Sequence, residues 1–233
     1  MMVGLRRQGL LVAALVGLFC LPARAEMVEV APGVSVTKKT YRVQLNEAPF
    51  FNFTAKNSEQ KRFDDEFVAG VLGVVPDRAK AARSASNRGW DYIQQGDFVT
   101  AAKRFNQAYL LDPMDSALYH GFAVVVFERF RDIAYAEELF QAAAKANSPF
   151  STLSADHGRI LLIAGRPADA MPLLEKGMLA NPKWATPRVN LAWAKLMTGS
   201  SEAACKLIAG IAADDMTADQ NDIALIRTRA KCN

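Results

Sequence analysis

Histidine is nearly missing from this chain, with two residues, His120 and His157, among 233. Neither has an Asp, Glu or Cys at metal-ligand spacing, so the pattern builds no histidine metal site. No glycine-rich phosphate loop occurs, and no G-x-S-x-G turn presents a serine nucleophile. Acidic residues cluster at Asp64, Asp65 and Glu66 and again at Asp214 and Asp215. On a helix face or in a loop such groups are far more often solvated than catalytic. The sequence therefore assigns no catalytic residue, no cofactor and no metal ligand, and the chain is not expected to be an enzyme. Past position 26 there is no run of 18 apolar residues, so the remainder holds no membrane span.

Excess charge is lacking too, once the first 25 residues are set aside. Arg6 and Arg7 form a positive start, Gly9 to Leu21 an apolar stretch too short to span a bilayer, and Ala23-Arg24-Ala25 a small-x-small cleavage pattern. Residues 1–25 read as a signal peptide, with the mature chain starting at Glu26. Cys20 raises the alternative of a lipoprotein, but a lipid-modified cysteine follows small residues and Phe19 stands there. The expected product is soluble, exported and periplasmic. Losing Arg6, Arg7 and Arg24 takes the basic residues from 28 to 25 against 24 acidic ones, so the net charge falls from +4 to +1. That balance excludes the concentrated basic face that nucleic acid requires.

Two of the three cysteines, Cys205 and Cys232, remain after cleavage. An even count in an oxidising destination points to a disulfide, which in the chain-entropy view stabilises by roughly 3–4 kcal/mol. The other reading is two free thiols, one in a helix and one at the C-terminus.

What the chain does have is repetition. In RGWDYIQQGDFVTAAKRFNQAYLLDP, residues 88–113, small residues at Gly89, Gly96, Ala101 and Ala108 alternate with large ones at Tyr92, Phe98 and Phe105. The pattern returns at Ala136, Ala170 and Ala204, with Phe105 matched by Phe140, Leu174 and Ile208. Gly89 is matched by Val124, Gly158 and Ala192, and Tyr92 by Phe127, Leu161 and Lys195. A period of about 34 residues marks a helix-turn-helix solenoid, whose units bury their apolar faces only by stacking. Two antiparallel helices approach closely where facing residues are small, so Gly89 is expected opposite Ala101. Gly96 supplies the turn, the large residues fill the space between layers, and Pro113 ends the second helix. Repeat 2 has Arg131 and Asp132 where the turn glycine belongs, and its stretch from Gly121 to Phe127 is apolar on every side, as in a sandwiched helix.

These residues resemble the tetratricopeptide repeat family, most fully over 82–115, where Gly89, Tyr92, Gly96, Phe98, Ala101, Phe105, Ala108 and Pro113 all fall at family positions. The resemblance spans 82–218, about 137 of the 233 residues. It implies an all-α, right-handed solenoid of about four helix hairpins, at 82–115, 117–147, 151–184 and 185–218. It also implies a protein or peptide partner in a concave groove lined by the first helix of each repeat. Carried over by repeat position, the groove residues are Trp90, Val125, Arg159 and Trp193, then Ile93, Glu128, Leu162 and Leu196, then Gln94, Arg129, Ile163 and Met197. The lysine and asparagine pattern of chaperone-tail clamps is absent. Trp90 and Trp193 can also be read as packing between repeats.

Flanking segments complete the expected organisation. Over 26–81, alternation at Val28 and Val30, at Val34 and Val36, and at Tyr41, Val43 and Leu45 predicts short strands. A helix over 58–75 follows, set to cover the first repeat. Residues 219–233 read as a capping helix opened by a Thr217–Gln220 capping box. The aromatic stretch Pro49 to Phe53 is expected either to fill the groove from within or to leave the arm free to pair with a partner strand. The function expected is an exported scaffold or adaptor for a secretion, outer-membrane or surface-polysaccharide machine of a bacterial envelope. The alternative is a carbohydrate-binding accessory or envelope enzyme with its active groups in the N-terminal segment.

Overall fold

A computed structural model describes residues 26–232; the proposed signal peptide and Cys20 lie outside the described residues. A two-stranded antiparallel hairpin, β1 (Met27–Ala31) and β2 (Val34–Thr37), comes first. After α1 (Ser58–Val74), four helix pairs follow: α2 (Arg78–Gln94) with α3 (Phe98–Leu111), α4 (Ser116–Phe130) with α5 (Ile133–Lys145), α6 (Leu153–Ile163) with α7 (Pro167–Ala180), and α8 (Thr186–Met197) with α9 (Ser201–Ile208). The chain closes on α10 (Gln220–Ala230).

The repeat register read from sequence is the register of the fold. Ala101, Ala136, Ala170 and Ala204 each occupy the fourth position of the second helix of a pair, and all are fully buried. Phe105, Phe140, Leu174 and Ile208 occupy the eighth position and are buried alike. Each hairpin turns through one left-handed residue: Gly96, Gly165 and Gly199 in repeats 1, 3 and 4, and Arg131 at φ 53° in repeat 2. Arg131 thus takes the backbone conformation that glycine takes elsewhere, and like those glycines it stands five residues before the buried alanine of its repeat.

The nearest neighbour of Gly89 is Phe105: a Cβ placed on Gly89 would lie 2.6 Å from its ring, and Gly121 of α4 presses on the same ring from the next repeat. Phe105 is therefore wedged between two glycines, one within its own hairpin and one across the stack. A single ring joins the two layers.

α4 is buried on nearly every side. α2 and α3 cover it from one repeat and α5 from its own, and the N-terminal arm packs on a further side. This arm is not strand beyond Thr37. The expected third strand around Tyr41, Val43 and Leu45 is absent; bends lead instead into 3-10 turns at Leu45–Glu47 and Pro49–Phe53. Ladder bonding has no partner strand there, and the aromatic side chains bury against helices.

From Phe50 to Phe53 four successive residues are left-handed, with φ between 49° and 56°. Each costs roughly 1–2 kcal/mol for a residue with a Cβ, so the turn must be held from outside. Two asparagines hold it. Buried Asn52 exchanges two hydrogen bonds with the Tyr41 backbone, at 2.8 and 2.9 Å. Fully buried Asn106 of α3 accepts from the Phe51 N–H at 2.9 Å and donates to the Asn46 and Ala48 carbonyls at 3.1 and 2.8 Å. Phe50 then packs among Tyr109, Tyr119 and Phe122, with ring centroids 5.2 to 5.9 Å away.

Further along, Tyr41 stacks on Phe130 at 3.8 Å and donates to Asp132, while the Thr37 N–H donates to Glu138. Burial pushes the Tyr41 hydroxyl well above its ordinary value, and Asp132 beside it adds to the effect. Asp132, which burial alone would raise, is instead held below the usual carboxylate range by Lys39, the Tyr135 N–H and Tyr41. The arm is an integral part of repeats 1 and 2.

At the other end, α10 packs on α8 and α9, burying Ile223 and Ile226 with Ile208 and Ile211. Its N-cap is Asp219, which accepts from Asn221 and Asp222, so the expected Thr217–Gln220 capping box does not form. Thr217 is occupied elsewhere: its hydroxyl accepts from the Ala185 N–H and donates to Asp215. After Ala230 the chain reverses through left-handed Lys231, and Cys232 reaches Cys205 in a disulfide with Cα atoms 5.5 Å apart. That single residue makes up the offset between the two helices. Among the described residues no helix is long and apolar enough to cross a membrane.

Candidate functional site

The first helices of repeats 1 to 3, α2, α4 and α6, share a face with a continuous cleft. Its inner part, of about 110 Å³, lies between Trp90, Ile93, Val124, Glu128, Asp156, Arg159, Ile160 and Ile163. It widens to about 720 Å³ between Asn87, Trp90, Asp91, Gln94, Phe150, Ser151, Thr152, Asp156 and Trp184. Trp90 is common to both parts. Its indole N–H donates to the Ala117 carbonyl at 3.3 Å, and its ring meets Phe105, His120 and Phe150 edge-on. Repeat stacking thus fixes the residue that dominates the opening.

Beneath Trp90 lies a histidine pair that sequence spacing could not connect to carboxylates. His120 of α4 is fully buried, with Nε2 3.0 Å from Asp156 of α6. His157 stacks on Phe140 at 4.7 Å, and its Nε2 is 3.9 Å from Glu137, which in turn pairs with Arg166 at 2.5 Å. Burial holds the His157 imidazole below its ordinary value; Arg166 and His120 act in the same direction and Glu137 opposes them. Both acids come from a neighbouring repeat. Chemically the site offers aromatic walls and carboxylates over a buried polar seam between repeats 2 and 3.

The expected groove residues divide into three groups. Trp90, Ile93, Gln94, Glu128, Arg159 and Ile163 line the cleft. Val125 does not: it is fully buried in the core, and Val124 lines the cleft in its place. Arg129 is drawn to the arm, where its guanidinium donates to the Glu47 carbonyl, lies 3.5 Å from the Glu47 carboxylate and sits over Phe130. In the C-terminal half, Leu162 packs in the repeat 3 cluster, and Trp193 and Leu196 pack against the α8–α10 core. Arg229 lies over the Trp193 ring at 5.4 Å, and Met197 is about half exposed outside the cleft. Trp193 therefore follows the packing reading, whereas Trp90 serves both packing and cleft.

Several lining residues were missed. Asn87 and Asp91 are one turn apart in α2 beside Trp90, and a face plot of that helix could have found them. Phe150, Ser151, Thr152 and Trp184 come from connections between repeats, where no periodic signal exists.

The arm does not fill this cleft. Its contacts run along α3 and α5, the second helices, and reach α4 from that side. The groove-filling expectation is corrected accordingly: Phe50 fits between Tyr109, Tyr119 and Phe122, on the face opposite Trp90's opening. The polar groups of the N-terminal segment, Tyr41, Glu47 and Asn52, are engaged in these contacts.

Helix hairpins of this length, stacked with small residues at matched seams and with first helices lining one face, constitute a tetratricopeptide-repeat fold. Solved structures agree. YrrB, described as a TPR protein with an unusual peptide-binding site, is 16% identical, with a TM-score of 0.51 over 72% of this chain and 85% of its own. A MamA RS-1 double mutant is 19% identical, with a TM-score of 0.50 over 66% of this chain and 85% of its own. At these identities the likeness is one of fold. No protein-family model matches the chain, and no curated protein does.

Proposed function

We propose that this is an exported protein-binding scaffold whose α2–α4–α6 cleft holds a peptide segment of a partner, in the service of a cell-envelope machine for secretion, outer-membrane or surface-polysaccharide assembly. One observation carries the reading: the arm covers the second-helix face of repeats 1 and 2, and among the described residues the first-helix cleft, with Trp90, Ile93 and Ile163, is left uncovered. Aromatic and arginine side chains in a concavity are the groups that dominate protein interfaces. The peptide-binding description of YrrB, a protein of like fold, supports the same reading. Export is supported by the leader-like first 25 residues together with the Cys205–Cys232 disulfide, which persists in oxidising compartments.

A photo-activated cross-linker placed at Ile93, in the cleft, and at Gln141, exposed on α5, tests the site in cells. Adducts should form from Ile93 and disappear when Trp90→Ala is added, with none from Gln141. Adducts from Gln141 alone would put the partner on the other face. Mass spectrometry of the secreted or periplasmic fraction should find a chain beginning at Glu26.

A further inference from the structure

We infer that the wide part of the cleft receives a cationic side chain, an arginine or lysine of the bound peptide. The inference rests on the peptide-binding reading above and adds its chemistry. Sequence placed Arg129 and Arg159 in the middle of the groove, which would favour an acidic partner. The structure takes Arg129 to Glu47 of the arm and leaves Arg159 in the inner part of the cleft, which Asp156 and Glu128 also line. What remains around the 720 Å³ opening is Asp91 and Asp156, with no lysine or arginine among the lining residues. Glu128 is answered by Arg131 at 3.3 Å, whereas neither Asp91 nor Asp156 has an arginine or lysine within ion-pair distance among the described residues.

The walls suit the same charge. Trp90, Phe150 and Trp184 bring three aromatic rings to one opening. An aromatic face attracts a guanidinium or ammonium group, the more so when a carboxylate stands near and water is partly excluded. Phe150 already carries a guanidinium, that of Arg83, 4.8 Å from its ring centre. Behind Asp156 lies buried His120, its Nε2 3.0 Å from the carboxylate. Aromatic rings beside Asp91 and Asp156 match a basic side chain in both shape and sign.

The mature protein, disulfide intact, would be titrated by fluorescence anisotropy against three pools of random nine-residue peptides that differ only at the central residue: arginine, citrulline or glutamate. The arginine pool should bind about tenfold more tightly than the citrulline pool, with the glutamate pool weakest. Asp91→Asn, on an exposed residue of α2, should remove most of that preference without changing the unfolding midpoint, and Asp156→Asn should do the same if it folds. Peptide binding with no preference for arginine over citrulline would overturn the inference and leave the peptide site standing. Binding of soluble cellohexaose with no binding of any peptide pool would overturn both.

Discussion

Repeats 1 and 2 share one aromatic core with the N-terminal arm, in which Phe50, Phe105, Tyr119, Phe122 and Phe140 all lie. Repeats 3 and 4 divide between two smaller, aliphatic clusters built on residues such as Leu174, Leu191, Ile208 and Ile226. Both halves use the same register, with alanine and a large apolar residue at matched positions. They differ in how the open side of the stack is secured. Where aromatic area is plentiful, burial and two asparagine side chains fasten a folded-back arm; where it is scarce, a disulfide fastens a short terminal helix. Equivalent repeat positions are therefore not energetically equivalent.

The sharpest way to break this contrast is at Phe105, which two glycines enclose from two repeats. Phe105→Ala should lower stability by about 3–5 kcal/mol, because neither glycine can fill the void. At the matched position in repeat 4, Ile208→Val should cost only about 0.5–1.5 kcal/mol. Urea midpoints of the two variants measure the difference. Reducing the Cys205–Cys232 bond, which closes a 27-residue separation, should cost about 3.5 kcal/mol in the chain-entropy account. The loss should be local: hydrogen exchange should rise in α10 and α9 while α2 to α4 stay protected. Uniform exchange across the chain would mean the two halves unfold as one.

The smallest effect concerns the seam between the halves. Burial holds the His157 imidazole below its ordinary value of 6.5. Above that value both folded and unfolded chains leave it unprotonated, and its contribution is complete. As pH falls below 6.5 the unfolded chain takes the proton first, so stability declines toward and through the folded value. The urea midpoint should thus drop between pH 7.5 and pH 5.5, and His157→Phe, which can keep the stack on Phe140, should flatten the drop.

Much of the helical architecture was legible because period and side-chain size are local properties: Ala101, Ala136, Ala170 and Ala204 mark the seams whatever the partner helix. Arg131 shows how far that holds, since a turn without glycine kept the left-handed residue in the same register. The arm was illegible for the opposite reason. Its path is set by Asn106, 58 residues away from Ala48, and by a left-handed turn that no alternation pattern announces. The cleft was half legible. Repeat position located Trp90, Ile93 and Arg159, but not the loop residues Phe150 and Trp184, nor that Arg129 would leave for the arm. Errors gathered where residues distant in sequence compete for one side chain.

The central claim is that the arm closes the second-helix face of repeats 1 and 2 and leaves the first-helix cleft open. Hydroxyl-radical footprinting of the native protein, compared with Asn106→Ala, tests it most directly. The account predicts that Trp184 and Ile93 are labelled equally in both, while Phe50, Tyr119 and Phe122 are labelled only in the variant, whose Asn46 and Ala48 carbonyls and Phe51 N–H have lost their partner. Labelling of Phe50 in the native protein, or new labelling of Ile93 and Trp184 when the arm is loosened, would contradict it.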